Sequence, residues 1–458
     1  MANKADPQNT LTPLERRDFI KRSLLAASII SLPAALTACG GGSSDSESAA
    51  TTTLSPVRFA VLSDTHLYDI SALGDSAELD AYLLQDRKML KDSVPIFDAA
   101  LADIKTRNID FLLISGDLTK DGERVNHELM VSRLTALGKK AYVIPGNHDI
   151  NNPDAKSFKT TPATAASTVT PAEFRQLYAS YGYADALYSD PNSLSYIAEP
   201  ADGVWLFAID SCQYADNLTL GYPVTAGRVS DLTLGWLESK LQEARRLGKI
   251  IIGMMHHGLI EHFSGQSVLF SEYLVNSRET VAAALASAGL GAVFTGHFHA
   301  NDVVGKVYGS STLYDIETGS TVTAPSPYRL VSLDRSTRQL AISTSVVTQT
   351  TTHPSDFQSY AKTYLTDGLN TLVAYMLGNA PYSLSGTQIT ALLPLIVPAM
   401  VAHYAGDEIL TDATVLATLT AMAASTDAST KMIGQIVLGL WNDPAPADNN
   451  LTLSLATS

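Results

Sequence analysis

Asp64-Thr65-His66, Gly116-Asp117, Gly146-Asn147-His148-Asp149, His256-His257 and Gly296-His297-Phe298-His299 place oxygen and imidazole donors at five separated points of the chain. None of these donors is a thiolate. Carboxylate and imidazole without sulfur suit Mn, Fe, Zn or Co in a working centre rather than a structural zinc. Asp117 can bridge two ions, because a carboxylate has two oxygens with free lone pairs.

Each donor block ends a short apolar run: 57–63, 111–115, 141–145, 250–255 and 292–295. Short β-branched and apolar runs bounded by Gly and polar residues read as buried strands. Ligands of open α/β sheets bind outside the carboxyl ends of such strands. Helical period fills the gaps, over Ala81 to Arg107, Glu123 to Leu137, Asp231 to Leu247 with Asp231 as N-cap, and Arg278 to Ala288. Strand-helix alternation indicates an α/β domain. Leu313–Glu317, Tyr328–Asp334 and Gln339–Val346 alternate as strands and are expected to complete a second sheet. The polar stretch Asn151 to Thr170 reads equally as a binding loop or a surface excursion. From about residue 350, Ala/Leu/Thr-rich helical patterns take over, including Thr390 to His403 and Thr411 to Ala424, so 350–458 is expected to be an all-α appendage. The run 391–400 is too short and too Pro-interrupted to span a bilayer and reads as buried core.

In order, these blocks form D-x-H, G-D, G-N-H-D, His and G-H-x-H, which resembles the calcineurin-like metallophosphoesterase superfamily over roughly residues 56–346. The resemblance implies a four-layer α/β/β/α sandwich of two mixed sheets. It implies one metal on Asp64, His66, Asp117 and His299, and another on Asp117, Asn147, His256 and His297. It implies a phosphoester hydrolase in which a bridging hydroxide attacks phosphorus in line, with His148 as the catalytic histidine protonating the leaving oxygen. The ligand role falls to His256 rather than His257, although Gly258 stands where the family usually has a proline. Asp149 reads equally as a residue orienting His148 or as a loop cap. His127, His262, His353 and His403 fit no ligand spacing, and Ile316 to Ser320 reads as a hairpin near the pocket rim. G-N-H-D is typical of the superfamily's phosphodiesterases, which favours a small phosphodiester (a cyclic nucleotide or a phospholipid-derived ester). A phosphomonoesterase or nucleotidase is the alternative within enzymes, and a metal- or phosphate-binding envelope protein the alternative outside them.

Arg16-Arg17-Asp18-Phe19-Ile20-Lys21, the apolar stretch 23–38 and Cys39 resemble a twin-arginine signal ending in a lipobox. Residues 1–39 are thus expected to direct export to a bacterial cell envelope with a lipid anchor at Cys39, and the Gly/Ser/Thr-rich 40–55 to be a flexible tether. Cys212 is then left without a partner, as an inert thiol. The net charge is −15; residues 1–38 carry +2 of it, so the remainder sits at −17. Polyanion binding needs basic patches that displace counterions, and a chain this acidic lacks them. Nucleic acid is not expected as a bound partner, whereas a small phosphate ester held by a cluster of cations is compatible with this charge.

Overall fold

Val57–Leu62 forms β1, and the apolar runs Phe111–Ile114 (β2) and Lys140–Val143 (β3) lie parallel beside it. The computed structural model describes residues 55–455, apart from 85, 380, 381, 407 and 443. The export signal, Cys39 and the tether lie outside the described residues, save for residue 55. Lys156–Ser157 (β4) and Thr164–Ala165 (β5) make a small hairpin. Then come β6 (Tyr188–Ser189), β7 (Tyr196–Ala201), β8 (Val204–Ile209), β9 (Ile250–Met255), β10 (Ala292–Thr295), β11 (Val303–Tyr308) and β12 (Ser311–Glu317). These seven form one sheet in the order β11-β12-β10-β9-β8-β7-β6.

β13 (Pro327–Asp334) and β14 (Gln339–Val346) depart from the expectation that they complete that sheet. β13 pairs antiparallel with β1, Val61 opposite Arg329, and the other sheet runs β15-β14-β13-β1-β2-β3 with β15 at Asn450–Ser454. Alternation marks a half-buried strand but carries no information about which free edge accepts it. β15 also shows that the C-terminal region is helical but not purely so, since Asn450 pairs with Ser343.

The two sheets face each other, with Phe59 of β1 edge-on to Phe294 of β10 at 5.5 Å. Successive residues of a strand point to opposite faces. Along β8, Val204, Leu206 and Ala208 enter the core between the sheets, while Trp205, Phe207 and Ile209 pack outward with Leu237, Leu241 and Leu285. Those leucines belong to the helices Asp231–Arg246 and Arg278–Ala288, so this face forms the second helical layer. Ser230, rather than Asp231, caps the first of these helices by accepting from the Thr233 N–H. The helix expected over Ala81 to Arg107 breaks into Ala77–Leu83 and Ser93–Thr106. A 3₁₀ turn at Leu90–Asp92 lies in the break, and Pro95 falls in the first turn of the second helix, where proline is tolerated.

Helices Phe357–Gly378, Gly386–Ala405, Ala413–Ala423 and Ala428–Leu440 follow. Gly386–Ala405 runs on through Pro394 and Pro398, so the prolines do not interrupt it. By length and composition it is apolar enough to cross a membrane, and 28% of its apolar window is buried. Only its second half, from Ile396 to Tyr404, supplies core residues. The expectation of a wholly buried segment is corrected accordingly.

Candidate metal centre

The donor blocks leave the carboxyl ends of β1, β2, β3, β9 and β10, and the facing sheets bring these ends together. Asp117 Oδ2 lies 3.5 Å from His66 Nε2 and 3.4 Å from His256 Nε2. On one side, His299 Nε2 stands 3.2 Å from His66 Nε2 and 3.4 Å from Asp64 Oδ1, an oxygen with no hydrogen-bond partner. On the other, Asn147 Oδ1 stands 3.1 Å from His256 Nε2. Donors about 2.0–2.1 Å from one tetrahedral ion lie about 3.3 Å from each other. The spacings are therefore those of ligands around ion-sized gaps. Asp64, His66 and His299 form one such group and Asp117, His256 and His297 another, each with its donor atoms within 4.8 Å. His297 Nε2 faces the Glu272 carbonyl at 3.3 Å, which leaves Nδ1 for an ion.

The backbone is strained where the donors sit. Among the described residues ten non-glycine residues have positive φ, and Asp64, His66, Asp117, His297 and His299 are five of them. Left-handed backbone costs a non-glycine residue of order 1–3 kcal/mol and clusters at functional sites. The adjoining glycines permit close approach: a Cβ on Gly146 would stand 2.1 Å from Asp117 N, and one on Gly296 1.9 Å from Ser63 Oγ.

His257 packs against the His256 and His297 rings, with centroids 5.0 and 4.4 Å away, but turns both nitrogens elsewhere. Its Nδ1 meets Ser211 Oγ at 2.7 Å and its Nε2 the Thr225 carbonyl at 2.8 Å, so both nitrogens are engaged. Asp149 does not orient His148. Its carboxylate accepts from the N–H groups of Gly146, Leu118 and Thr119 and from the Thr119 hydroxyl, tying the loop after β3 to the loop after β2. Ser320, near the hairpin expected at the rim, donates to the Asp64 carbonyl at 2.8 Å and supports the β1 loop.

His148 Nδ1 lies 2.9 Å from Asp121 Oδ1, a residue that motif reasoning passed over. The only local signal was an acid four residues after Asp117 in a Gly-bounded turn. Asp121 pairs with buried Lys120, whose ammonium lies over the rings of Tyr82 and Phe158. Phe158 is a buried part of the 151–170 insertion, and Asn152 Nδ2 donates to the His148 carbonyl at 3.0 Å. The insertion thus buttresses the His148 loop through Asn152 and Phe158, while its hairpin strands β4 and β5 lie largely exposed.

Burial pulls the pKa of His66 and His297 well below the usual value and that of His299 down to about 4, which favours the neutral, ligating form. Burial also opposes charge on His256, but Asp117 outweighs it and raises His256 to about 9. Burial would raise Asp121, yet Lys120 and the His148 hydrogen bond bring it to about 2. For His148 the opposing burial is overcome by Asp117 and Asp121, and its pKa rises. The charge of Lys88, whose ammonium lies 3.6 Å from Asp86, also works against protonation of His66, His148 and His299. Of the histidines set aside, His127 is buried in the core, and His353 stacks on Tyr360 with centroids 3.8 Å apart. Cys212 Sγ donates to the Pro145 carbonyl.

A family model for calcineurin-like phosphoesterases matches residues 57–301. A probable cyclic nucleotide phosphodiesterase of Synechococcus is 33% identical over 85 residues, 17% of this chain and 33% of that protein. The chain thus spans about a third of the length of the curated relative it matches. Among solved structures, a dimetal phosphatase from Danio rerio is similar with a TM-score of 0.45 at 15% identity, covering 63% of this chain and 96% of that one. A purple acid phosphatase from yellow lupin seeds gives a TM-score of 0.40 at 13% identity, covering 64% of this chain and 52% of the other. With the family model spanning more than half of its length and the donor blocks gathered at its strand ends, the chain belongs to the calcineurin-like phosphoesterase family.

Proposed function

We propose that this chain hydrolyses small phosphodiesters with two metal ions, in the cell envelope and anchored by lipid at Cys39. The observation that carries the reading is Asp117 Oδ2, set between His66 at 3.5 Å and His256 at 3.4 Å as a bridging carboxylate must be. Asp64, His66, Asp117 and His299 would hold one ion, and Asp117, Asn147, His256 and His297 the other. The unpartnered, buried Asp64 Oδ1 fits such a load. When bound, Mn, Fe, Zn or Co would polarise phosphoryl oxygens and lower the pKa of water toward neutrality.

The chain's own residues account for the other half of the reaction. Asp121 accepts the Nδ1 proton of His148, which fixes the ring and leaves Nε2 to carry the transferable proton. The His148 side chain is 21% exposed, against 4% or less for Asp64, His66, Asp117, His256 and His299, so it is the group that meets substrate. It protonates the departing oxygen.

Asn147-His148-Asp149 and the likeness to a probable cyclic nucleotide phosphodiesterase of Synechococcus support a diester. The −15 charge opposes a long polyanion. Turnover of bis(p-nitrophenyl) phosphate should exceed that of p-nitrophenyl phosphate on metal-reconstituted protein, and Asp117→Asn should remove both. A higher rate on the monoester would assign the chain to the phosphomonoesterases instead, and absence of turnover with two metals bound would leave a binding protein.

A further inference from the structure

His262 and His403, which belong to no motif, meet across Asp302 in a second buried cluster that shares no residue with the strand-end donors. Asp302 follows the G-H-F-H loop, His403 ends the helix Gly386–Ala405, and Glu408 lies just beyond it. The donor atoms of these three lie within 4.8 Å of one another. Exposure is 1% for Asp302, 2% for His403 and 6% for Glu408.

The hydrogen bonding there does not close. Glu408 Oε1 stands 2.5 Å and Asp302 Oδ2 3.5 Å from the same nitrogen, Nδ1 of His403. One imidazole nitrogen carries one proton, which serves one carboxylate. Asp302 Oδ2 and Glu408 Oε2 are left buried without a hydrogen-bond partner, as is His403 Nε2. A buried, unsatisfied acceptor costs about 1–3 kcal/mol, more when charged. His262 Nδ1 holds the other oxygen of Asp302 at 2.6 Å, while its Nε2 lies 3.6 Å from both Asp315 and Glu317. Four carboxylates therefore surround two imidazoles. The Arg329 guanidinium, also buried nearby, donates to the main-chain carbonyls of Asp302, Glu317 and Asp448.

We propose that Asp302, His403 and Glu408 form a third metal site, for a divalent transition ion that accepts imidazole together with carboxylate oxygen, such as zinc. An ion in place of the shared proton would bind Asp302 and Glu408 together, with Glu408 drawing back from its 2.5 Å hydrogen bond to about 3.3 Å, the separation of ligands on one ion. His262 then acts as the outer partner that orients Asp302, the common arrangement around ligating side chains. The imidazole donor argues against Ca and Mg, which favour all-oxygen shells. The ion would fasten the helical region to the loop carrying His297 and His299. That loop's Phe298 already lies against His403 and Tyr404, with centroids 5.8 and 6.0 Å apart. This site shares no residue with the pair of metals proposed above and does not depend on them.

The test strips the full chain with chelator, reloads it with zinc, counts zinc per chain and locates it by anomalous diffraction at the zinc edge. The expected result is an anomalous peak among Asp302, His403 and Glu408, and a loss of one zinc equivalent in Glu408→Gln. In Asp64→Asn the peak should persist although the strand-end centre is impaired. Crystals of the zinc-loaded wild-type chain with no peak at these three residues would overturn the proposal and leave a hydrogen-bonded ion-pair cluster. That map decides the matter even if Glu408→Gln fails to fold.

Discussion

Asp121 Oδ1 holds Nδ1 of His148 at 2.9 Å, although the residue next to His148 in the chain is itself an aspartate. The neighbour, Asp149, spends its carboxylate on backbone N–H groups and Thr119. Asp121→Asn keeps an acceptor but removes the charge that favours a protonated ring. It should lower kcat about 10- to 100-fold with KM nearly unchanged, as removal of an orienting partner commonly does. Steady-state kinetics together with an unchanged metal count checks this. A pure rise in KM would place Asp121 outside the proton path.

His148→Ala should show a leaving-group dependence. An alkoxide needs a proton and p-nitrophenolate hardly does, so the loss should reach about 10²–10⁴-fold on a cyclic nucleotide. On bis(p-nitrophenyl) phosphate it should be markedly smaller. Equal losses on both substrates would contradict a proton-donor role.

Gly296→Ala should damage both centre and fold, because its Cβ would stand 1.9 Å from Ser63 Oγ and 2.4 Å from Asp64 Oδ2. Overpacking of this kind costs about 1–3 kcal/mol. The variant should unfold at lower urea concentration and retain fewer ions after desalting. Wild-type values for both would mean that the β1 loop yields freely.

Stability should fall in mild acid through His127. Its Nδ1 lies 2.8 Å from the Tyr178 hydroxyl and its Nε2 2.9 Å from the Asp149 carbonyl, and burial lowers its pKa from 6.5 to about 4. The folded chain thus keeps the ring neutral while the unfolded chain takes up a proton below pH 6.5. The contribution is complete above pH 6.5 and drains away as the pH falls toward 4, about 3 kcal/mol in all. Urea titrations across that range should show it, and His127→Gln should flatten the decline by the equivalent of one proton.

The donor blocks were legible in the sequence because each is a short string of distinctive residue types at the end of a strand, and strands are marked by local hydrophobicity. Asp64, Asp117, Asn147 and His297 needed no knowledge of pairing to be singled out. Asp121 escaped because one more acid in a polar turn is chemically unremarkable until His148 is seen above it. β13 was recognisable as a strand, but its partner β1 lies some 270 residues earlier, as in Val57 opposite Leu333. Non-local pairing leaves no trace in a window of a dozen residues. His262 and His403 were passed over for the same reason, since the loop after β9 brings the one and a docked helix the other to Asp302.

β15 gives the helical region an unusual tether. Its helices leave the six-stranded sheet after β14 and come back to it at β15, with Ser343 directly opposite Asn450. They are moored at two neighbouring points of one sheet edge rather than hung from a single hinge. Such a region can breathe against Phe298 but cannot swing clear of it. Cutting the chain near residue 350 would strip a strand from the sheet, whereas replacing the helices by a tight turn from β14 to β15 would leave all six strands in place.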